Sequence, residues 1–372
     1  MTIPDVYIAS LPMGATPPDW PGGYWWHWLF FSVVLIAFLL VMVMAAIYIE
    51  RRGMGRMQSR LGPNRAGPFG LLQPVADVIK VLLKENIVPD NADKIVHWLV
   101  PVIAFVPVAM IFAVVPFRDG AMLVDLDVGI LYVIAASSIA TIGVFMAGWG
   151  SSNKYSLLGA MRNVAAVVSY EIPLALSVIG TVLITGTMSL NGIVLAQDIP
   201  YILLQPLGFL IFFIAGCAEI NRSPFDLMEA DSELVAGFHT EYSGMKFALF
   251  YLVEYAEAIV ISAIITTLFL SGWKGPWLPP WLWFIIKTLI VFFVMVWTRT
   301  TLPRVRIDQL MSLAWKFLFP LALINLFITA IQVLVWPDGL PWVAIIINIA
   351  IMVVLVVAWS KFFKLGWGRL EV

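Results

Sequence analysis

Three carboxylates, Glu171, Glu254 and Glu257, stand inside stretches of this 372-residue chain that are otherwise almost wholly apolar. Counted on helices from their nearer charged ends, they would lie ~9–14 Å into a bilayer. A charge at the centre of a membrane helix costs ~2.5–3.5 kcal/mol on the insertion scale, so three of them point to proton or ion movement. The structural alternative is pairing with a Lys or Arg of a neighbouring helix. A second acidic group, Asp226, Glu229 and Glu233, is spaced three and four apart, which is one face of a helix. Phe225, Leu227, Leu234, Val235 and Phe238 interleave with it. Such a group exchanges protons together rather than singly; the bland alternative is a surface stripe that binds cations.

Other chemistries lack their residues. The single cysteine, Cys217, cannot build an internal disulfide, an iron–sulfur cluster or a structural zinc site. His27 and His97 fall near opposite ends of their apolar runs and cannot jointly ligate a haem. Gly53-Met54-Gly55 lacks the third glycine and the strand–helix setting of a dinucleotide site. No metal site is expected.

The elements that carry these acids follow from composition. The chain is 61% apolar and 12% charged, against ~25% charged in soluble domains. Its mean hydropathy is +0.94. With 22 Lys+Arg against 23 Asp+Glu, it offers no basic surface for nucleic acid. The reading is an all-α polytopic membrane bundle. Nine apolar runs are each close to the ~20 residues that cross a bilayer: 25–49, 97–116, 128–148, 165–186, 200–218, 248–270, 280–298, 313–335 and 341–360. The fifth is interrupted by Pro206 and Gly208. Segment 1–24 has five prolines and no basic residue, unlike the charged start of a signal peptide, so the first run is expected to be retained. The organisation expected is an outer segment 1–24, one transmembrane domain over 25–362 and a cytoplasmic tail 363–372.

With the N-terminus outside, the inner segments hold 18 Lys+Arg and the outer ones only Arg118 and Lys274. This asymmetry supports the span count and places the C-terminus inside. Trp25, Trp26, Trp28, Trp273, Trp277, Trp281, Trp336 and Trp342 then form an outer aromatic belt. Within the first inner segment, Val75, Val78, Ile79, Leu82 and Leu83 share one helical face and Asp77, Lys80, Lys84 and Glu85 the other. That spacing predicts an amphipathic helix over 74–85, lying on lipid or on a partner protein. Lys287 is expected to snorkel outward.

The inner segments hold most of the polarity. The first begins Glu50-Arg51-Arg52 and continues through Arg56, Gln58, Arg60, Gly62-Pro63-Asn64 and Gln73-Pro74-Val75-Ala76-Asp77. Ser169-Tyr170-Glu171 follows, then Glu219-Ile220-Asn221-Arg222-Ser223-Pro224-Phe225-Asp226-Leu227-Met228-Glu229-Ala230-Asp231-Ser232-Glu233, and finally Arg299, Pro303-Arg304, Arg306 and Asp308-Gln309-Leu310. Together these motifs, over about residues 47 to 316, resemble the NADH:quinone oxidoreductase (respiratory complex I) family, in the membrane subunit called H in bacteria and 1 in mitochondria. The first 24 residues and the ninth run lie outside the resemblance. The family's acidic motif usually reads Pro-Phe-Asp-Leu-Pro-Glu-Ala-Glu, where this chain has Met228 and Asp231; a usual Gln is here Ala166.

The resemblance implies a core membrane subunit that forms the membrane part of a quinone chamber and couples quinone reduction to proton translocation. Chamber positions would be Glu50, Arg51, Gln58, Arg60, Asp77, Arg222, Phe225, Arg299 and Arg304. The coupling path would use Glu171, Glu219, Asp226, Glu229, Asp231, Glu233 and Glu254. Glu257 joins them on position alone, since relatives often carry Asn there. The resemblance also implies a bacterial inner-membrane location and neighbouring peripheral-arm and small membrane subunits. NADH, FMN and iron–sulfur clusters would sit on those partners. Quinone would be the substrate, and no catalytic residue is complete in this chain. Without the resemblance, the inner arginines read as lipid-headgroup or partner contacts. The alternatives are the membrane subunit of an energy-converting hydrogenase and an ion-exchanging secondary transporter. Against the transporter, no repeat relates the two halves.

Overall fold

The computed structural model describes residues 25–226, 235–337 and 341–362. Segment 1–24, the acids Glu229, Asp231 and Glu233, and the tail 363–372 lie outside the described residues. So do the side chains of Trp25, His27 and Trp28.

In chain order the helices are α1 (Trp25–Met57), α2 (Gln73–Leu82), α3 (Lys94–Val114), α4 (Gly129–Gly150) and α5 (Lys154–Thr185). Then come the short α6 (Leu190–Ala196) and α7 (Tyr201–Leu204), α8 (Pro206–Glu219), α9 (Gly244–Phe269) and α10 (Pro280–Thr301). The last two are α11 (Ile307–Val335) and α12 (Trp342–Phe362). No strand occurs among the described residues. Eight of these helices are long and apolar enough to cross a membrane. The chain is a multi-pass membrane protein. Helices are the form such runs must take, because each backbone N–H and C=O has to find its partner within the segment when lipid offers none.

The boundaries differ from the expected ones where polar residues extend a helix past the apolar run. α1 continues through Glu50 to Met57, so Glu50, Arg51 and Arg52 belong to its last turns and not to a loop. α5 begins at Lys154, capped by Asn153, whose side chain accepts from the Tyr155 N–H at 3.0 Å. The Asp93 side chain caps α3 likewise, accepting from Ile95 N at 3.0 Å and Val96 N at 3.3 Å. α5 stops at Gly186, whose φ of 70° suits a residue with no Cβ.

The fifth run is not one continuous span. It breaks at Gln205, where φ is −129° and ψ is 61°. Pro206 is the cause: it has no N–H for the preceding turn and pushes the residue before it out of the helical region. α8 alone is about 21 Å long, short of the ~30 Å hydrocarbon core. α11 carries a second irregularity, a π-helical turn over Leu313–Leu318 just before Pro320. α2 confirms the amphipathic helix, with Val75, Val78, Ile79 and Leu82 exposed together and Pro74 buried.

The helices pack through small residues that let backbones approach, as membrane bundles require. A Cβ at Gly143 of α4 would stand 3.3 Å from the Ala104 Cα of α3. One end of the bundle gathers most of the basic residues. There Asp93 N donates to Gly150 O, Ser156 Oγ to Phe238 O and Ile87 N to Ser243 Oγ. At the opposite end, Gln197 donates to the carbonyls of Thr267 and Leu268 and accepts from Ser271 N. Lys287 reaches this far end, donating to the carbonyls of Leu270, Gly272 and Lys274 at 2.7, 3.0 and 2.7 Å. The ammonium thus ends in a cradle of carbonyls at the tip of α9.

Candidate functional site

At the basic end, the last turns of α1, the segment after α8, and the facing sides of α9 and α10 bring four charges together. Glu50, fully buried, accepts from Arg222 and, at 2.5 Å, from Arg299. Arg222 Nε lies 3.0 Å from Glu254 Oε1, and Arg299 Nη1 stands 4.0 Å from the same oxygen. The Arg222 guanidinium also lies over the Tyr255 ring at 4.2 Å, a cation–π geometry. Burial alone would depress the Arg222 guanidinium; Glu254 and Glu50 outweigh that and hold it above its ordinary value. Two carboxylates against two guanidiniums make a neutral cluster, the condition under which charges survive out of water.

Glu254 is therefore paired with arginine, which is the structural alternative set out for it above. Glu171, Glu219 and Glu257 form no ion pair among the described residues. Glu171 accepts from Ser138 of α4. Glu219 and Glu257 line a small cavity shared with Ser137, Thr141, Asn163 and Asn221. The buried Asn163 Oδ1 has no hydrogen-bond partner. A second small cavity is lined by Asn221, Tyr251, Asp226, Glu254 and Glu257, among apolar side chains. Asn221 and Glu257 line both, so the two spaces adjoin. Glu219 and Glu257 thus stand on the wall of the first space and Asp226, Glu254 and Glu257 on that of the second, both walled mainly by apolar side chains, with Glu254 shared between the second space and the arginine cluster.

The remaining positions form separate groups. Arg51 pairs with Asp77, which also accepts from Gln73 at 2.9 Å, so α2 is pinned to the end of α1. Arg304 pairs with Asp226 at 3.0 Å. Phe225 sits beside Tyr170 with ring centres 5.8 Å apart, and the Tyr170 hydroxyl donates to Leu310 O at 2.9 Å. Gln58 and Arg60 bond each other at 2.8 Å on an exposed turn, apart from the buried cluster. Asp226 is the last described residue before 235, so its sharing a face with Glu229 and Glu233 falls outside the described residues.

Sequence reasoning passed over several participants. Ser137, Ser138, Thr141 and Asn163 are uncharged and sit within long helices; an adjacent serine pair in an apolar run was the available signal. It also missed the clasp around His97. His97 Nδ1 stands 2.9 Å from Lys246 Nζ, and its ring stacks on Tyr242 at 4.1 Å. Glu241, next to Tyr242, accepts from Asn153 at 2.6 Å. These contacts tie the segment entering α9 to α3 and α5. Tyr242, closed off from solvent there, has its phenol pushed above the ordinary range by burial.

The family model for NADH dehydrogenase matches residues 30–330. The chain belongs to the NADH dehydrogenase family. It is similar to the NADH-quinone oxidoreductase H subunit of Dehalococcoides mccartyi (strain CBDB1), 61% identical over 94% of this chain and 99% of that protein. It is also similar to the H subunit of Geobacillus kaustophilus (strain HTA426), 52% identical over 82% of this chain and 93% of the relative. That of Brevibacillus brevis is 50% identical over 85% and 95%. In this family of oxidoreductase subunits, the matched stretch contains the whole arginine–glutamate cluster and both cavities. It ends before α12.

Proposed function

We propose that the chain is the H subunit of a proton-translocating NADH:quinone oxidoreductase, forming the membrane part of its quinone chamber and coupling quinone reduction to proton movement. The observation that carries this reading is the buried Glu50–Arg222–Arg299–Glu254 cluster, which opens onto cavities bordered by further carboxylates. The names of the relatives support the assignment of complex and substrate.

The exposed apolar face of α2, beside the Arg51–Asp77 pair, gives a lipid-soluble head group a route from the bilayer to the basic end. Glu50, Arg51, Asp77, Arg222, Phe225, Arg299 and Arg304 frame the membrane side of the chamber, with Gln58 and Arg60 at its rim. A soluble partner closes it and delivers electrons from NADH through FMN and iron–sulfur clusters held on partner subunits. Reduction of the quinone draws protons and shifts charge near the cluster. Glu254 answers to that shift because it shares both arginines with Glu50. A change in its pairing is then felt at Glu257, Glu219 and Glu171, and Asp226, Glu229, Asp231 and Glu233 are assigned to the same coupling path by their place in the acidic motif. The relay runs sideways to an adjoining membrane subunit. In the inner membrane of a bacterium, the N-terminus faces outward and the C-terminus the cytoplasm.

Photoaffinity labelling of the purified complex with a quinone analogue tests the chamber. Label within 47–85 or 219–245 supports it, and label confined to other subunits refutes it. Glu254→Gln is expected to abolish pumping in an assembled complex; retained pumping rules out the relay. A cytoplasmic reporter fused at the C-terminus is expected to be active, and activity only of an external reporter overturns the orientation.

A further inference from the structure

α12 lies beyond the stretch that the family model matches, and it bonds the bundle at two irregular points of its backbone. Its inward stripe is Ile345, Asn348, Met352, Leu355 and Trp359, spaced three to four apart as one helical face, with Ala344 beside Ile345. Most of that stripe is hydrocarbon, but two members donate hydrogen bonds. Asn348 Nδ2 donates to the Leu204 carbonyl at 2.6 Å, at the break between α7 and α8. Trp359 Nε1 donates to the Lys316 carbonyl at 2.8 Å, within the π-helical turn of α11.

Both acceptors exist because of a proline. Pro206 breaks the ladder after Leu204. Pro320 stands four residues after Lys316, where a regular helix would supply an N–H and proline has none. A carbonyl left out of a helical ladder must find another donor. Asn348 is itself fixed by a reciprocal amide pair with the buried Gln332 of α11, at 2.5 and 3.1 Å, so its Nδ2 is aimed before it reaches Leu204.

We propose that α12 is an intramolecular strap that closes two proline-made openings in the helical ladders of the bundle, Asn348 at the α7–α8 break and Trp359 at the π turn of α11. The strap involves only this chain's own helices and does not depend on the reading of quinone and protons. It has two separable points of action, one per side chain.

Hydrogen–deuterium exchange on the purified complex tests this. Asn348→Leu is expected to speed exchange at residues 207–209 at least tenfold while leaving Leu321 and Ala322 near wild type. Trp359→Phe is expected to do the reverse. A chain ending at Pro337 is expected to speed both regions, and the two point variants carry the test if that chain does not accumulate. Wild-type exchange at each carbonyl's own region, or an equal rise at both regions in either point variant, overturns the proposal.

Discussion

Arg222→Met removes the cation that faces two carboxylates and keeps an unbranched, apolar stem in its place. In the wild type the guanidinium is 4% exposed and bonds Glu50, which is fully buried, while its Nε lies 3.0 Å from Glu254. One unit-charge pair at that distance interacts by about 5 kcal/mol at an effective dielectric of 20. Removing one partner of a buried pair costs about 3–5 kcal/mol, because the other charge stays buried. Arg299 remains, at 2.5 Å from Glu50 and 4.0 Å from Glu254, and compensates in part. A loss of about 3 kcal/mol is therefore the expected outcome for the single variant. Adding Glu254→Gln to Arg222→Met relieves the excess negative charge, so the double variant is expected to be more stable than the single by about 1 kcal/mol or more. The assay is thermal unfolding of the purified complex, with the two single variants and the double forming a cycle. A double variant no more stable than Arg222→Met would mean that the two side chains do not act on each other.

The other pairs give contrasting magnitudes. Arg51→Ala breaks an ion pair whose two side chains are about one-third exposed, so unfolding should shift by no more than about 1 kcal/mol, and a larger loss in the same melt would contradict that. Lys287→Met strips the donor from three carbonyls at the tip of α9 and is expected to destabilise by about 1–3 kcal/mol, read as a lower melting temperature. Gly159→Ala would put a Cβ 3.0 Å from the Gly237 Cα, against backbone that has to shift, and about 1–3 kcal/mol of destabilisation is expected in the same measurement. His97→Leu keeps the packing but loses the Lys246 contact; limited proteolysis should then cut within 235–243 faster than in the wild type, and unchanged cleavage would dismiss the clasp.

Hydropathy alone settled that these residues enter a membrane as helices, because a run of ~20 apolar residues has no other way to satisfy its backbone there. The break at Gln205 was foreshadowed by Pro206, a local covalent constraint that needs no knowledge of the fold. Ends were less legible: α1 runs on through Glu50 because Arg222 and Arg299 arrive from distant segments to neutralise it. Membrane depth identified Glu254 as unusual, but only the packing of α9 against α1 and α10 decided that it is paired while Glu257, one turn away, faces the cavities instead. Uncharged partners such as Ser138, Asn163 and Asn348 left almost no trace in composition, since a lone hydroxyl or amide in an apolar helix gains its meaning only from what lies across from it. A sequence fixes which groups a helix carries into lipid. Which of them meet is set by close approach between helices, a long-range property that residue spacing along one helix does not encode.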